Sequence, residues 1–375
     1  VKIGITCYPT YGGSGAVATE LGIALAGRGH EVHFITYAHP FRLPVFSPRI
    51  FFHEVSIGQY PLFQYPPYDL ALAVRMHEVA TQQKLDLLHV HYAIPHATSA
   101  WLAKQMLRET GHDLPVVTTL HGTDITIVGQ DHSYHAIIKF SIEKSDRVTA
   151  VSQHLKDETV RAFGCENQRV TVIPNFVDPA VFHRGAGDHA LRQQLGGGRK
   201  VLMHISNMRP VKRVSDVVKI FAAVRREIPS VLVMVGDGPD RSAAEEEARR
   251  LDVEADVRFL GKIDGVAALL ASADLYLLTT DAESFGLSAL EAQACGVPVL
   301  GYKAGGLPEV VESGVTGYLG DVGDVFGMAR VAGEILSTDG RWSAMSQAAV
   351  TRASTRFATH RVLPQYEALY LDAVT

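Results

Sequence analysis

The chain has 375 residues, 47% of them apolar and 20% charged, ordinary globular values that exclude disorder, collagen and coiled coil as the main architecture. Lys plus Arg number 35 against 40 Asp plus Glu, a net charge of −5, so neither nucleic acid nor an anionic membrane is expected as a general partner. Cys7, Cys165 and Cys295 are too few and too scattered for a disulfide framework or a metal site, and a reducing cytoplasm fits.

At about 150 residues per domain the length gives two domains, or three, each able to bury a sizeable core without staples. Val1 to Thr6 reads as a buried strand, not as the charged region and apolar run of a signal peptide. No apolar run reaches the roughly 18 residues of a membrane-spanning helix, and the expected location is cytoplasmic. A Gly-rich turn, Tyr11-Gly12-Gly13-Ser14-Gly15, leads into a helical pattern from Ala16 to Ala26. Glu31 to Tyr37, Leu85 to His91, Val116 to His121 and Arg147 to Val151 read as further strands, with a helix near Ala97 to Leu107. His39 to Tyr68 carries Pro40, Pro44, Pro48, Pro61, Pro66 and Pro67 among Phe and Tyr residues; it reads as a loop-rich insert, either functional or a packed surface flap.

The pattern restarts with a short strand over Val170 to Asp178 and a Gly-rich polar stretch over Gly185 to Lys200. A strand over Val201 to Ser206 and a helix over Ser215 to Glu227 follow, then strands at Val231 to Gly236, Val257 to Leu260, Leu275 to Leu278 and Val297 to Gly301. Short β-rich runs separated by helical patterns mean parallel sheets covered on both faces. The fold class is α/β, two doubly wound halves joined near residues 165–178.

In open α/β sheets ligands collect beyond the carboxyl ends of the strands, and that rule selects a few loops. Gly12-Gly13-Ser14-Gly15 lets backbone approach a phosphate at a helix N-terminus. It matches neither the Walker nor the GxGxxG pattern, and a tight turn explains it as well. His121-Gly122-Thr123-Asp124 is a polar quartet hard to explain by packing, with a histidine that can donate or titrate; a satisfied histidine beside a turn is the competing reading. His89-Val90-His91-Tyr92, with His96 nearby, puts His89 and His91 on one strand face. With His121 they imitate a three-His zinc site, but 17 histidines favour chance clustering and no carboxylate completes the spacing. Arg209-Pro210-Val211-Lys212-Arg213 concentrates cations where they oppose a helix dipole and suit a pyrophosphate; the competing reading is a solvated helix start. Finally, a helix starting near Gly286 puts Glu283 in a loop and Glu291 inside the helix. The amides of Phe285, Gly286 and Leu287 would then point at a bound anion.

Glu283 and Glu291 form an E-x7-E pair, and with Gly13, His121 and Lys212 at their relative places the chain resembles, over nearly its whole length, the retaining GT-B glycosyltransferases of family 4. Thr6 to Gly15, Tyr60 to Tyr68, His89 to His96 and Leu120 to Asp124 look, more narrowly, like the members of that family that transfer GlcNAc from UDP-GlcNAc to L-malate, the first step of bacillithiol biosynthesis. The resemblance implies two Rossmann-like domains facing a cleft, residues 1–168 for the acceptor and 169–354 for the sugar nucleotide, with a C-terminal helix at about 355–375 crossing back to the first. It implies Glu291 on the ribose hydroxyls, and Glu283 with the amides of Phe285, Gly286 and Leu287 on the transferred sugar and distal phosphate. Lys212, helped by Arg209, would neutralise the leaving diphosphate, and Gly13 and Ser14 would approach the phosphates or acceptor. His121 would meet the sugar 6-hydroxyl or the reacting region, with Tyr92 and Thr123 near the acceptor.

The family usually has Gly-Arg after the strand that precedes its phosphate lysine. Here Ser206-Asn207 stands there and Arg209 follows, so Asn207 joins the donor-side candidates. Arg75 and Lys139 are candidates for the acceptor carboxylates from chain position alone. The implied chemistry is front-face substitution with no protein nucleophile, no metal and no other cofactor; stable membrane association is not expected, and a homo-oligomer is left open. The alternatives are a sibling transferase with a membrane-lipid or sugar acceptor, a UDP-GlcNAc 2-epimerase, and a non-catalytic sugar-nucleotide sensor.

Overall fold

Strands that are apolar on both faces need helices on each side of the sheet, and the described residues of this computed structural model, 1–58 and 64–375, supply them. Tyr60, Pro61, Leu62 and Phe63 of the Pro/Tyr insert lie outside the described residues. The chain divides into two units, Val1–Pro174 with Val362–Thr375, and Asn175–Arg361.

In the first unit, β1 (Lys2–Thr6), β2 (Glu31–Thr36), β3 (Ile50–Glu54), β4 (Leu87–His91), β5 (Val116–Leu120), β6 (Arg147–Ala150) and β7 (Val170–Val172) are joined by α1 (Gly13–Gly27), α2 (Tyr68–Gln83), α3 (Thr98–Arg108), α4 (Thr123–Thr126), α5 (His132–Lys144) and α6 (Gln153–Phe163). Among the described residues these strands form one parallel sheet, ordered β3-β2-β1-β4-β5-β6-β7. One core fills the space under α2 and α3 with Leu72, Met76, Val79, Leu88, Val90, Ala100 and Leu107.

The second unit repeats the plan. Strands β8 (Lys200–Ile205), β9 (Ser230–Val235), β10 (Val257–Gly261), β11 (Leu275–Leu278), β12 (Val299–Tyr302) and β13 (Gly317–Gly320) alternate with α7 (His189–Gly196), α8 (Val214–Arg225), α9 (Arg241–Arg250), α10 (Ala267–Ala271), α11 (Leu287–Ala294), α12 (Leu307–Val310), α13 (Val325–Ser337) and α14 (Asp339–Arg356). The parallel order is β10-β9-β8-β11-β12-β13. A last helix, α15 (Thr359–Val374), starts in the second unit and from Val362 onward belongs to the first.

Each sheet reverses its winding once, between β1 and β4 and between β8 and β11. Loops leaving the carboxyl ends of such a pair diverge, and ligands of doubly wound sheets bind in the crevice between them.

The structure adds detail to three of these readings. The segment His39 to Tyr68 is not all loop, since β3 lies inside it as the edge of the sheet. Pro40, Pro44, Pro48, Pro66 and Pro67 fall outside the strand and leave the ladder intact, as edge strands allow. The Gly-rich stretch from Gly185 to Lys200 contains α7, capped by the Asp188 side chain and ended at Gly197 with φ 58; its glycines mark a helix end. The strand at Val170, read with a Pro/Asn stop, ends at Val172, just ahead of Pro174-Asn175. The two units part at 174/175 and at 361/362, and α14 lies within the second.

Candidate active site

At the first switch point, α1 opens at Gly13 with no acidic residue in its first turn and no side-chain cap. A helix start of this kind presents amides and a positive dipole end to an anion. Gly15 is required by packing, because a Cβ there would lie 2.6 Å from the Tyr8 carbonyl oxygen and 2.9 Å from that of Thr10. At Gly12 and Gly13 a Cβ would meet no atom within 4 Å, and neither has a left-handed φ. The fold itself does not demand glycine at those two positions.

Across the switch point, Tyr92 follows β4 with φ 84 and ψ 141. A bulky residue rarely takes positive φ, and such strain concentrates at functional sites. The phenol donates to Ser14 Oγ over 3.0 Å, and the Thr123 side chain is near enough to favour its ionised form. Burial, with the Asp124 carboxylate second, pushes its pKa up to about 12. Predicted residues from three different loops thus gather around one hydroxyl.

His121 follows β5. Its Nε2 lies 2.8 Å from Nδ1 of His91, and its ring packs beside Tyr92 with centroids 5.3 Å apart. Burial pushes His121 down to about 3 and His91 well below the usual imidazole range. Both rings are therefore neutral, and their shared bond needs a proton on one nitrogen and a lone pair on the other. Below them, His89 bonds Tyr370 Oη through Nδ1 and Thr119 Oγ1 through Nε2, each at 2.7 Å. Both His89 nitrogens are thus taken up by hydroxyls, while His91 Nδ1 and His121 Nε2 are taken up by each other. Among the described residues no group of three His, Cys, Asp or Glu side chains could hold a metal ion.

At the second switch point the loop after β8 is tightly seated. A Cβ on Gly236 or Gly238 would lie 1.9 Å from the Ser206 or Asn207 carbonyl oxygen. Met208 and Arg213 take φ 40 and 46 on either side of the single turn Pro210–Lys212. Lys212 Nζ then donates to Glu283 Oε2 at 2.8 Å. Arg213 is committed to Asp216, at 2.8 Å, whose carboxylate also accepts the Tyr302 hydroxyl at 3.0 Å. Asn207 and Arg209 are exposed, and among the described residues no carboxylate pairs with Arg209.

The loop after β11 is equally fixed. The Glu283 carbonyl accepts the Gly306 amide at 2.7 Å, and Gly305 packs so closely that a Cβ would sit 1.9 Å from that oxygen. Gly286, φ 95, precedes α11. Among the described residues the amides of Phe285, Gly286 and Leu287 have no acceptor. Glu291 is buried on α11. The Tyr276 phenol, bonded to the Ile205 carbonyl at 3.1 Å, is pushed up by burial first and then by both Glu291 and Glu283. The charges of both carboxylates therefore act on one hydroxyl at the end of β8. Two acceptor groups, a cation and a set of bare amides suit a polyhydroxylated anion.

Residues 11–181 match the family model Glycosyltransferase Family 4, and residues 189–352 match Glycosyl transferases group 1. Over 375 residues the sequence is 50% identical to N-acetyl-alpha-D-glucosaminyl L-malate synthase of Bacillus anthracis, covering 100% of this chain and 97% of that one. The chain belongs to glycosyltransferase family 4. This family-4 glycosyltransferase is also 30% identical, over 331 residues, to D-inositol 3-phosphate glycosyltransferase of Salinispora tropica, covering 80% of this chain and 67% of the relative. Its fold matches sucrose-phosphate synthase of Thermosynechococcus elongatus with a TM-score of 0.80 at 21% identity, covering 99% and 98% of the two chains. Two Rossmann-like domains of the GT-B class are thereby the fold, as expected from sequence.

Two other acceptor candidates of this glycosyltransferase pair with carboxylates on their own helices. Arg75 donates to Glu78 on its own helix at 3.0 Å and lines a groove with Glu54, Ser56, Leu70 and Val74 on the β3 side. Lys139 pairs with Glu143 at 3.9 Å on α5. Sequence reasoning chose them by chain position, and position within a helix does not say which way a long side chain turns. It also missed Tyr276, whose hydroxyl feels both glutamates, and the Gly305-Gly306 seat beneath Glu283. The only signal for the seat was a Gly-Gly pair after a strand.

Proposed function

We propose that this glycosyltransferase transfers GlcNAc from UDP-GlcNAc to the 2-hydroxyl of L-malate with retention at the anomeric carbon, giving N-acetyl-α-D-glucosaminyl L-malate and UDP. The observation that carries the reading is the 50% identity, over the whole chain, to N-acetyl-alpha-D-glucosaminyl L-malate synthase. The residue geometry supports it. In the second unit Glu291 accepts the ribose hydroxyls, while Glu283 and the amides of Phe285, Gly286 and Leu287 hold the sugar and distal phosphate. Lys212 and Arg209 meet the leaving diphosphate. In the first unit the hydroxyls of Ser14, Tyr92 and Thr123 and the amides at the start of α1 face the acceptor.

The bond from the malate oxygen to C1 forms as the bond from C1 to the phosphate oxygen breaks, on the same face of the sugar. The departing phosphate oxygen takes the proton of the malate hydroxyl. His121, neutral, serves as a hydrogen-bond partner and not as a cation. The protein supplies position and electrostatic stabilisation, and no metal or other cofactor is needed for the diphosphate.

The test is mass spectrometry of products from UDP-GlcNAc with a panel of hydroxy acids, sugars and lipid acceptors. A GlcNAc–malate adduct formed in step with UDP is expected. Turnover of another acceptor without malate transfer, UDP-GlcNAc epimerised in the absence of acceptor, or binding with no turnover would each replace this reading.

A further inference from the structure

Asp124 is 2% exposed, and no cation offsets its charge among the described residues. Its carboxylate is shared between two loops. Oδ2 accepts the amide of Ala93 at 3.1 Å, and Oδ1 accepts the amide of Gly122 at 3.0 Å. Ala93 follows the strained Tyr92, and Gly122, with φ 114, follows His121. The carboxylate therefore ties the loop after β4 to the loop after β5 just where each leaves its strand. A helix-capping role does not account for this, because Asp124 lies inside the short helix α4 and one of its bonds reaches a residue 31 positions away. The Asp124 backbone is held from below as well. Gly129 packs so closely that a Cβ there would sit 2.7 Å from the Asp124 carbonyl oxygen.

We propose that Asp124 is a positioning residue for the transfer reaction: its ionised carboxylate holds Tyr92 and His121 in register and so shapes the acceptor side of the site. The catalytic half of this inference rests on the proposed function; the link between the loops rests on geometry alone. Burial pushes the Asp124 carboxyl up to about 6, against the bonded amides of Ala93 and Gly122 and the influence of those of Asp124 and His121, which favour the charged form. The titratable groups that face it are the phenols of Tyr8 and Tyr92, both raised, and no charged side chain of α6 or the turn Val128–Gln130 acts on it. The nearby rings of His91, His96 and His121 are all pushed far down. Asp124 is then the group here that changes charge just below neutrality. Its protonation turns one acceptor into a donor that faces an N–H, and one loop is released.

Asp124→Asn tests this, with three readouts. Steady-state kinetics at about pH 7.5 should show kcat/KM for L-malate at least roughly tenfold lower, the scale of a lost charge-assisted bond. UDP affinity should change by less than about twofold, since the residues proposed for the nucleotide belong to the second unit and Asp124 to the first. In the pH profile the wild type should lose kcat/KM below an apparent pKa near 6, whereas the variant should be flat between about pH 5.5 and 8. A purely structural role would not remove that limb. Hydrogen–deuterium exchange without substrates should show the amides of Ala93 and Gly122 losing protection in the variant, and in the wild type below about pH 6 relative to flanking amides. Wild-type kinetics with the acid limb retained in the variant, or unchanged exchange at Ala93 and Gly122, overturns the proposal. If the variant does not fold, exchange in the wild type across pH 6 decides. If the wild type does not use malate, the proposed function fails while the exchange result still judges the link.

Discussion

Lys212 Nζ and Glu283 Oε2 lie 2.8 Å apart, joining the loop after β8 to the loop after β11 across the switch point of the second sheet. Both side chains are mostly shielded, at 19% and 16% exposed, so the lysine is set in place before any diphosphate arrives. Charge on a leaving diphosphate grows toward the transition state, and a cation placed for it acts mainly on kcat. Lys212→Ala should lower kcat by on the order of 3 kcal/mol, with a smaller effect on donor KM. Steady-state kinetics checks this. A loss under about threefold would pass the role to Arg209, because Arg213 is already engaged by Asp216.

The glycines of the first loop separate packing from function. Gly15→Ala places a Cβ 2.6 Å from a backbone oxygen, so the protein should lose roughly 1–3 kcal/mol of stability, as overpacking does. Gly13→Ala meets nothing within 4 Å and should melt within a degree or two of wild type, since Ala is also the better helix former. Its activity should nonetheless fall, because the methyl group stands where ligand must approach the helix start. Thermal melts with kinetics on both variants settle it, and full activity in Gly13→Ala would take the loop out of the site.

Much of this was legible in the sequence because the signals were local. The strand Leu275–Leu278 was read at its observed limits, and the E-x7-E pair, Lys212 and Tyr92 could be named from spacing and resemblance. What escaped depends on the third dimension. Strand β3 hid among prolines because an edge strand needs only one partner. Arg75 was placed by chain order, yet its guanidinium bonds Glu78. The link from Asp124 to Ala93 spans 31 positions, and no periodicity announces a carboxylate that accepts a distant amide. The His91–His121 bond likewise arises from the register of β4 on β5, where His91 pairs with Thr119.

Acid should destabilise the fold through its buried imidazoles. His89, His96 and His204 are fully buried and pushed down to about 3, 4 and 4, and His91 is also driven well below its usual value. A group whose folded pKa is depressed contributes stability that is present above its unfolded pKa, about 6.5, and is lost as pH falls toward the folded value. Each such histidine costs up to about 1.4 kcal/mol per pH unit below 6.5. Asp124 has the opposite sign. Its folded pKa is raised to about 6, so its contribution is fully present below about 4 and lost as pH rises through 6. The histidines outnumber it, and calorimetry should show a clear fall in Tm between about pH 7.5 and 5.5. The transition of the first unit, which holds His89, His91 and His96, should move most. A level or rising Tm would mean these rings do not stay neutral.

Catalysis should survive EDTA. Lys212, Arg209 and the bare amides before α11 can perform on a diphosphate what a magnesium ion otherwise does. Assays after chelation and dialysis should retain more than about half the rate, a change too small to be a lost Lewis acid. Complete loss restored by magnesium or zinc would return attention to His89, His91 and His121.

The acceptor gives the sharpest test of specificity. Malate brings two carboxylates, and both must be held while its 2-hydroxyl faces the anomeric carbon. The hydroxyls of Ser14 and Tyr92, 3.0 Å apart, with Thr123 beside them, and the uncapped start of α1 offer neutral donors and a favourable dipole end for one carboxylate. Arg75 and Lys139, paired with Glu78 and Glu143, are not needed for that, and Arg75→Ala should leave malate KM within about threefold of wild type. A site built to bond a carboxylate rejects an analogue that lacks it, because its donors are then left unpaired. Lactate keeps the 2-hydroxyl and loses the second carboxylate, so its kcat/KM should be lower by roughly 2–3 kcal/mol, on the order of a hundredfold. Glycerol, with neither carboxylate, should be poorer still. Competition assays with UDP-GlcNAc as donor measure the series directly, and lactate or glycerol equal to malate would end the dicarboxylate reading and send the search to another family-4 acceptor.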